Sequence, residues 1–160
     1  MRSIVSGLAL LVVAGIACHA DLLAPSSQTL TGHWSRASEP LSPNGQYFRT
    51  LDFSVDGHYV LTGASRGVYA QLPADSVGNV SREYGTYVLN SDIIRFTQDS
   101  VRSWDYLTGT YFHAGPKGQY IEGPPTDPSV ELTDTQLTLR YMVDPGAGYV
   151  AVTDVYYRDR

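Results

Sequence analysis

The stretch Tyr47-Phe48-Arg49-Thr50-Leu51-Asp52-Phe53-Ser54-Val55-Asp56-Gly57-His58-Tyr59-Val60-Leu61-Thr62 decides the fold class. Tyr47, Leu51, Phe53 and Val55 fall on one face and Thr50, Asp52 and Ser54 on the other. That period of two is the mark of a half-buried strand. Asp56-Gly57 follows at once, and residues 58–62 resume the alternation. An Asp-Gly pair between two alternating runs is a strong hairpin signal, because its turn matches the twist of the strands it joins.

Outward from this hairpin the pattern repeats. Residues 82–89 carry Tyr87 and Leu89 in register, Asn90-Ser91-Asp92 turns, and residues 93–97 carry Ile94 and Phe96 in register. Residues 101–112, rich in Trp, Tyr and Thr, read as one long strand or as two meeting at Gly109. Loops rich in Gly and Pro occupy 115–118 and 123–128. Leu137, Leu139, Tyr141 and Val143 then alternate, and residues 144–148 turn into a last strand over 149–157. With a first strand near Trp34, this makes eight or nine strands spaced by roughly 8–12 residues, the pattern of an all-β barrel or sandwich. The short connections favour an up-and-down antiparallel order, since parallel pairs need long crossovers.

Composition agrees. The 160 residues fit one domain. Twelve Tyr, 15 Gly and 9 Pro against two Met and a single Lys suit strands and turns and argue against a helical bundle. A net charge of −5 and a pI near 5.2 argue against a nucleic-acid partner. The single cysteine, Cys18, excludes an intrachain disulfide framework and a cysteine-based zinc knuckle.

Arg2 precedes an apolar stretch over 4–17, which suits a secretory signal and is short of the ~20 residues that span a bilayer. The stretch ends in Ala14-Gly15-Ile16-Ala17-Cys18, which resembles the lipobox of bacterial lipoproteins, with Gly15 where Leu is usual. The resemblance implies a signal peptide over 1–17, a lipidated Cys18 with a tether over 18–28, and a domain over 29–160. Two or three acyl chains on Cys18 would anchor the protein stably to a membrane. The domain would then face the periplasm, and His19 after the cysteine leans toward the outer membrane. An ordinary signal peptide cut near Ala20 stands as the alternative.

Within the domain, Gly32-His33-Trp34 resembles the G-x-W of lipocalins, and Tyr156-Tyr157-Arg158 resembles the strand end whose arginine packs over that tryptophan. Gly85-Thr86-Tyr87 followed by Asp92-Ile93-Ile94-Arg95-Phe96 is similar to a hairpin of small bacterial lipocalin-like lipoproteins. The resemblance implies an antiparallel up-and-down barrel closed by Gly32, Trp34 and Arg158. The chain departs from typical lipocalins: Thr153-Asp154 stands in the last strand, and the mid-chain T-D-Y signature is absent. A β-sandwich with Trp34 in its core is the alternative architecture.

A search for chemistry finds little. Gly63-Ala64-Ser65-Arg66-Gly67 matches the G-x-S-x-G nucleophile elbow, whose mechanism needs a helix after the serine, but residues 68–72 read as a strand. His33 and His58 stand beside core positions and point outward, and His113 sits at a strand end. Asp52, Glu83, Asp92 and Asp105 are spread over strands and turns. No metal site and no cofactor follow from these spacings. The aromatic residues Tyr47, Tyr59, Tyr87, Trp104, Tyr106 and Phe112 are the candidates to line a cavity in the barrel, or to fill it by packing on one another. The first functional reading is a non-enzymatic module that binds a small apolar or amphipathic ligand. The second is an envelope protein with a filled core that contacts another protein, and the third is a hydrolase using Ser65.

Overall fold

The computed structural model describes residues 23, 25–40, 45–73, 75–114, 127–144, 146 and 148–159, with the backbone alone described at 111–114. The signal peptide, the lipobox and Cys18 lie outside the described residues, as do the segments at 115–118 and 123–126. Among the described residues one short helix, α1 (Ser27–Leu30), precedes ten strands: β1 (Gly32–Arg36), β2 (Glu39–Pro40), β3 (Gln46–Phe53), β4 (His58–Arg66), β5 (Val77–Asn90), β6 (Ile93–Asp105), β7 (Thr110–Ala114), β8 (Ser129–Leu132), β9 (Gln136–Val143) and β10 (Val150–Arg158).

The hairpin predicted around Asp56-Gly57 is β3–β4, with Leu51 opposite Leu61 and Phe53 opposite Tyr59. Pairing continues through β5 to β6 and, from the other side, from β10 through β9 to β8. β1 pairs with both β10 and β3, so Trp34 faces Arg158 on one side and Leu51 on the other. That double pairing closes an antiparallel eight-stranded barrel, with β2 and β7 attached to β3 and β6 outside the ring. The architecture is therefore a lipocalin-like barrel and not a sandwich. The seam between β6 and β8 is thin. One register pair, Ile93 with Ser129, is reinforced by bonds from the Ile94 N–H to Pro128 O (3.0 Å) and from the Val130 N–H to Asp92 O (2.6 Å).

Three local expectations change, and one is resolved between its two alternatives. Residues 93–97 and 101–105 form one strand, because a bulge opposite Tyr84 and Gly85 inserts one residue and shifts the inward phase. That shift is why alternation breaks at Gln98-Asp99-Ser100. The 101–112 run is indeed two strands, β6 and β7, joined by a turn at 106–109. Residues 68–72 belong to the loop between β4 and β5, where the Leu72 N–H donates to Tyr69 O (3.0 Å). The four-residue β8 is too short for periodicity to reveal it.

The turns β3–β4, β5–β6 and β8–β9, together with α1 and Arg158, gather at one end of the barrel. The β4–β5 and β6–β7 connections lie at the other, loop-bearing end, with the first residues of β3 and β10 and the last of β9. Apolar side chains point inward: Leu30, Trp34, Leu51, Phe53, Leu61, Ile94, Leu137 and Leu139 are all buried. Each fully buried Leu or Ile contributes about 1.5–3 kcal/mol relative to exposure. The outer face carries exposed charge, including Arg82, Arg95, Arg102 and Arg140. Exposed apolar side chains, among them Val88, Met142 and Tyr157, are interspersed with these charges.

Candidate functional site

The interior is built in three layers, beginning at the short-turn end. Ser26 caps α1, its Oγ accepting the Thr29 N–H (3.0 Å), so one helical turn seals the base and buries Leu30. The Trp34 indole N–H donates to Leu30 O at 2.8 Å. The Arg158 guanidinium lies over the Trp34 ring, 4.3 Å from its centroid, and donates from Nη2 to Thr29 O at 2.6 Å. Gly32 begins β1 at φ +138°, a conformation few side chains adopt, and a Cβ there would stand 3.9 Å from Arg158 Nη1. A cation–π contact of this kind contributes about 0.5–2 kcal/mol. Together these groups form a lid that ties both chain ends of the domain to the helix.

The second layer is aromatic. Phe53 meets the edge of Tyr87 (centroids 4.9 Å apart) and stacks with Phe96 (6.1 Å), and Phe96 meets the edge of Tyr59 (4.9 Å). The Tyr87 hydroxyl donates to Ser54 O at 2.9 Å. These rings lie in mutual contact in the lower half of the barrel.

The third layer, toward the loop-bearing end, is charged and buried. Asp154 on β10 is 1% exposed, Arg49 on β3 is 6% and Glu83 on β5 is 1%. Asp154 Oδ1 lies 2.7 Å from Arg36 Nη1, and Oδ2 lies 3.6 Å from Arg49 Nη1. The Tyr141 hydroxyl donates to Asp154 Oδ2 at 2.8 Å. Glu83 accepts from the Tyr59 hydroxyl and, at 2.7 Å, from the Gln98 amide. Burial pushes the Glu83 carboxyl above its ordinary range, against the opposing pull of Tyr59, Gln98 and the Arg49 charge. Burial pushes the Tyr156 phenol up to about 12. The phenols of Tyr59 and Tyr141 rise for the same first reason and then because each donates to a carboxylate. The layer thus presents two buried carboxyl groups and one buried guanidinium, ringed by phenols whose pKa values are raised.

The predicted site residues divide by layer and by face. Gly32, Trp34 and Arg158 meet at the sealed base. Tyr59 and Tyr87 stand in the aromatic layer. Tyr47 lies inside as well, its Cζ 3.1 Å from where a Gly63 Cβ would be. Trp104 and Tyr106 do not share this interior. They stand on the outer face with Val80, Arg82 and Arg102, their rings edge to face at 5.9 Å. The bulge in β6 moves even-numbered positions beyond Ser100 outward, which periodicity carried through the bulge misplaces. Phe112 is the register partner of Ser103 on β7. Ser65 is buried in β4 with its Oγ accepting the Asn79 N–H (3.1 Å), and a loop follows in place of the helix an elbow requires. His58 starts the same strand seven residues earlier, roughly 23 Å away. His33 is engaged with Asp52 and Asp159 on the outer face of the sealed end. Among the described residues no group of three or more His, Cys, Asp or Glu is placed to hold a metal.

Sequence reading missed Arg49, Asp154, Gln98, Tyr141 and Tyr156. The signal was present for two of them: Arg49 falls in phase with Tyr47, Leu51 and Phe53, and Asp154 in phase with Tyr156. A charge on the inward phase of a strand marks a buried ionic group.

The fold and these layers define a lipocalin-like barrel, sealed at one end and charged within at the other. No protein-family model and no curated protein matches the chain.

Proposed function

We propose that this protein is a non-enzymatic binding module that takes a small amphipathic molecule at the loop-bearing end of its barrel. The observation that carries the reading is the polarity of the interior. Below lies a sealed apolar half, and above it Arg49, Asp154, Glu83 and the phenols of Tyr47, Tyr141 and Tyr156 offer donors and acceptors to a ligand's polar end. A few convergent polar groups above an apolar floor are what orient a ligand in a barrel. The test is native mass spectrometry of protein purified from its own host. The expected result is a small molecule retained in the native spectrum, lost on denaturation, and lost from Arg49→Gln protein that still folds. A native mass equal to the covalent mass, with no molecule retained, overturns the reading.

A second reading has its own support. The mutual packing of Phe53, Tyr59, Tyr87 and Phe96 favours an envelope protein with a filled core. An empty native spectrum is the outcome that favours it.

The proposal includes a lipid anchor on Cys18 and a domain facing the periplasm. The Leu23 N–H donates to Leu132 O (2.7 Å), which pins the chain at the sealed end. Leu23 stands five positions after Cys18, and five residue steps span at most ~18 Å. A lipidated Cys18 therefore holds the sealed end to the membrane and turns the charged end away. Cys18→Ser should abolish acylation and move the protein from the membrane fraction to the soluble fraction; an unchanged mass and distribution overturn the anchor.

A further inference from the structure

The outer face of β5 and β6 carries a groove of about 370 Å³ lined by Val80, Arg82, Arg102, Trp104 and Tyr106. Arg82 and Arg102 are direct register partners across the two strands, and Val80 and Trp104 are the next pair on the same face. Two like charges opposite one another in an antiparallel pair destabilise a sheet. Four other arginines pair with carboxylates, Arg36 and Arg49 with Asp154, Arg95 with Asp127 and Arg140 with Glu131, while Arg66 lies over Phe48 and Arg158 over Trp34. Among the described residues neither Arg82 nor Arg102 has a carboxylate within ion-pair distance, although Arg102 lies over the Tyr84 ring at 5.9 Å. The repulsive pair thus faces a cavity, and beside it stand Trp104 and a half-exposed Tyr106.

We propose that this groove is a binding site for a small ring-bearing carboxylate or phosphate. The two guanidinium forks suit the oxygens of such an anion and would relieve their mutual repulsion. The indole and phenol rings offer flat apolar surface to the ring that carries the charge. The groove is the size of a small-molecule site, and the chain's net negative charge disfavours a long polyanion. The site is separate from the barrel interior and does not depend on the ligand proposed there.

The chain has two tryptophans, so its two indole N–H signals in a proton–nitrogen spectrum report the groove and the buried base separately. Benzoate, phenyl phosphate and glucuronate are titrated as ring anions, acetate and inorganic phosphate as ringless anions, and benzyl alcohol and glucose as uncharged rings. At least one ring anion is expected to move the Trp104 signal and leave Trp34 in place, binding about tenfold more tightly than its ringless and uncharged counterparts. The benzoate and glucuronate arms tell an aromatic source from a saccharide one. Arg82→Gln with Arg102→Gln is expected to weaken this binding about tenfold while Tm holds or rises, because a repulsive pair has gone. Arg102→Lys, which keeps the charge and loses the fork, is expected to weaken it less. The absence of a Trp104 response to every ring anion overturns the proposal. So does equal binding of acetate or inorganic phosphate, or undiminished binding by the folded double variant.

Discussion

The guanidinium of Arg158 lies 4.3 Å above the indole of Trp34, joining the last strand of the barrel to the first. The two residues are also backbone partners, so the contact reinforces the seam through which the sheet closes. Because the same guanidinium reaches Thr29 O, it also holds α1 across the base.

Arg158→Ala should therefore lower stability by about 2–3 kcal/mol, combining a cation–π contact with a charged hydrogen bond. Trp34→Ala should cost more, about 3–5 kcal/mol, because a fully buried indole leaves a cavity. Urea unfolding monitored by far-ultraviolet circular dichroism measures both. Equal losses would show that the base does not depend on the indole's volume.

Asp154 lies between the buried guanidinium of Arg49 and the partly exposed one of Arg36, so removing it takes a carboxylate away from a buried charge. Asp154→Ala should cost about 3–5 kcal/mol, the usual penalty for breaking a buried ion pair by deleting one partner. Asp154→Asn keeps an acceptor for the Tyr141 hydroxyl and should cost less. Thermal melts of the two variants give the comparison, and an Asn variant as unstable as Ala would refute the role given to that hydrogen bond.

Glu83 has a folded-state pKa above that of the unfolded chain, because burial disfavours its anion. The folded state then holds the Glu83 proton more tightly than the unfolded state does. Its contribution is fully present below the unfolded value and is lost as pH rises through the folded one. Glu83→Gln should remove this slope, so that its stability falls less than the parent's from pH near 4.5 upward. Its Gln98 partner can flip its amide to keep a bond with the new side chain. Denaturant unfolding across this pH range tests the sign, and a steeper loss in the variant would contradict it.

Two inward glycines predict unequal costs. A Cβ at Gly85 would collide with the Thr97 carbonyl and stand 2.7 Å from Tyr59 Cε1, and a backbone carbonyl in a ladder cannot yield cheaply. At Gly63 the nearest obstacle is the hydroxyl end of the Tyr47 side chain, which can swing away. Gly85→Ala should cost at least 1–3 kcal/mol, roughly the range for overpacking, and Gly63→Ala clearly less. The ranking of their Tm values decides the matter.

Most of the barrel was legible along the chain because inward and outward positions alternate over Tyr47, Leu51 and Phe53, over Ile94 and Phe96, and over Leu137 and Leu139. Trp34 and Arg158 could be paired by their likeness to a known closure. What was not legible depended on breaks in local period. One inserted residue near Asp99 reversed the phase of β6 and carried Trp104 and Tyr106 to the outside. Arg49 and Asp154, more than a hundred residues apart, acquire their meaning only where β3 and β10 flank β1 across the barrel.

By itself, the sequence determined an all-β chain of alternating strands with tight turns, since hydrophobic period and turn chemistry are local properties. The likeness of Gly32, Trp34 and Arg158 to a known closure anticipated the ring, and tertiary structure alone fixed its register, filled the sealed half with aromatic rings and placed a buried ionic layer in the other. Closure depends on strand register between distant segments, and a buried charge is tolerable only where its partner arrives from another strand.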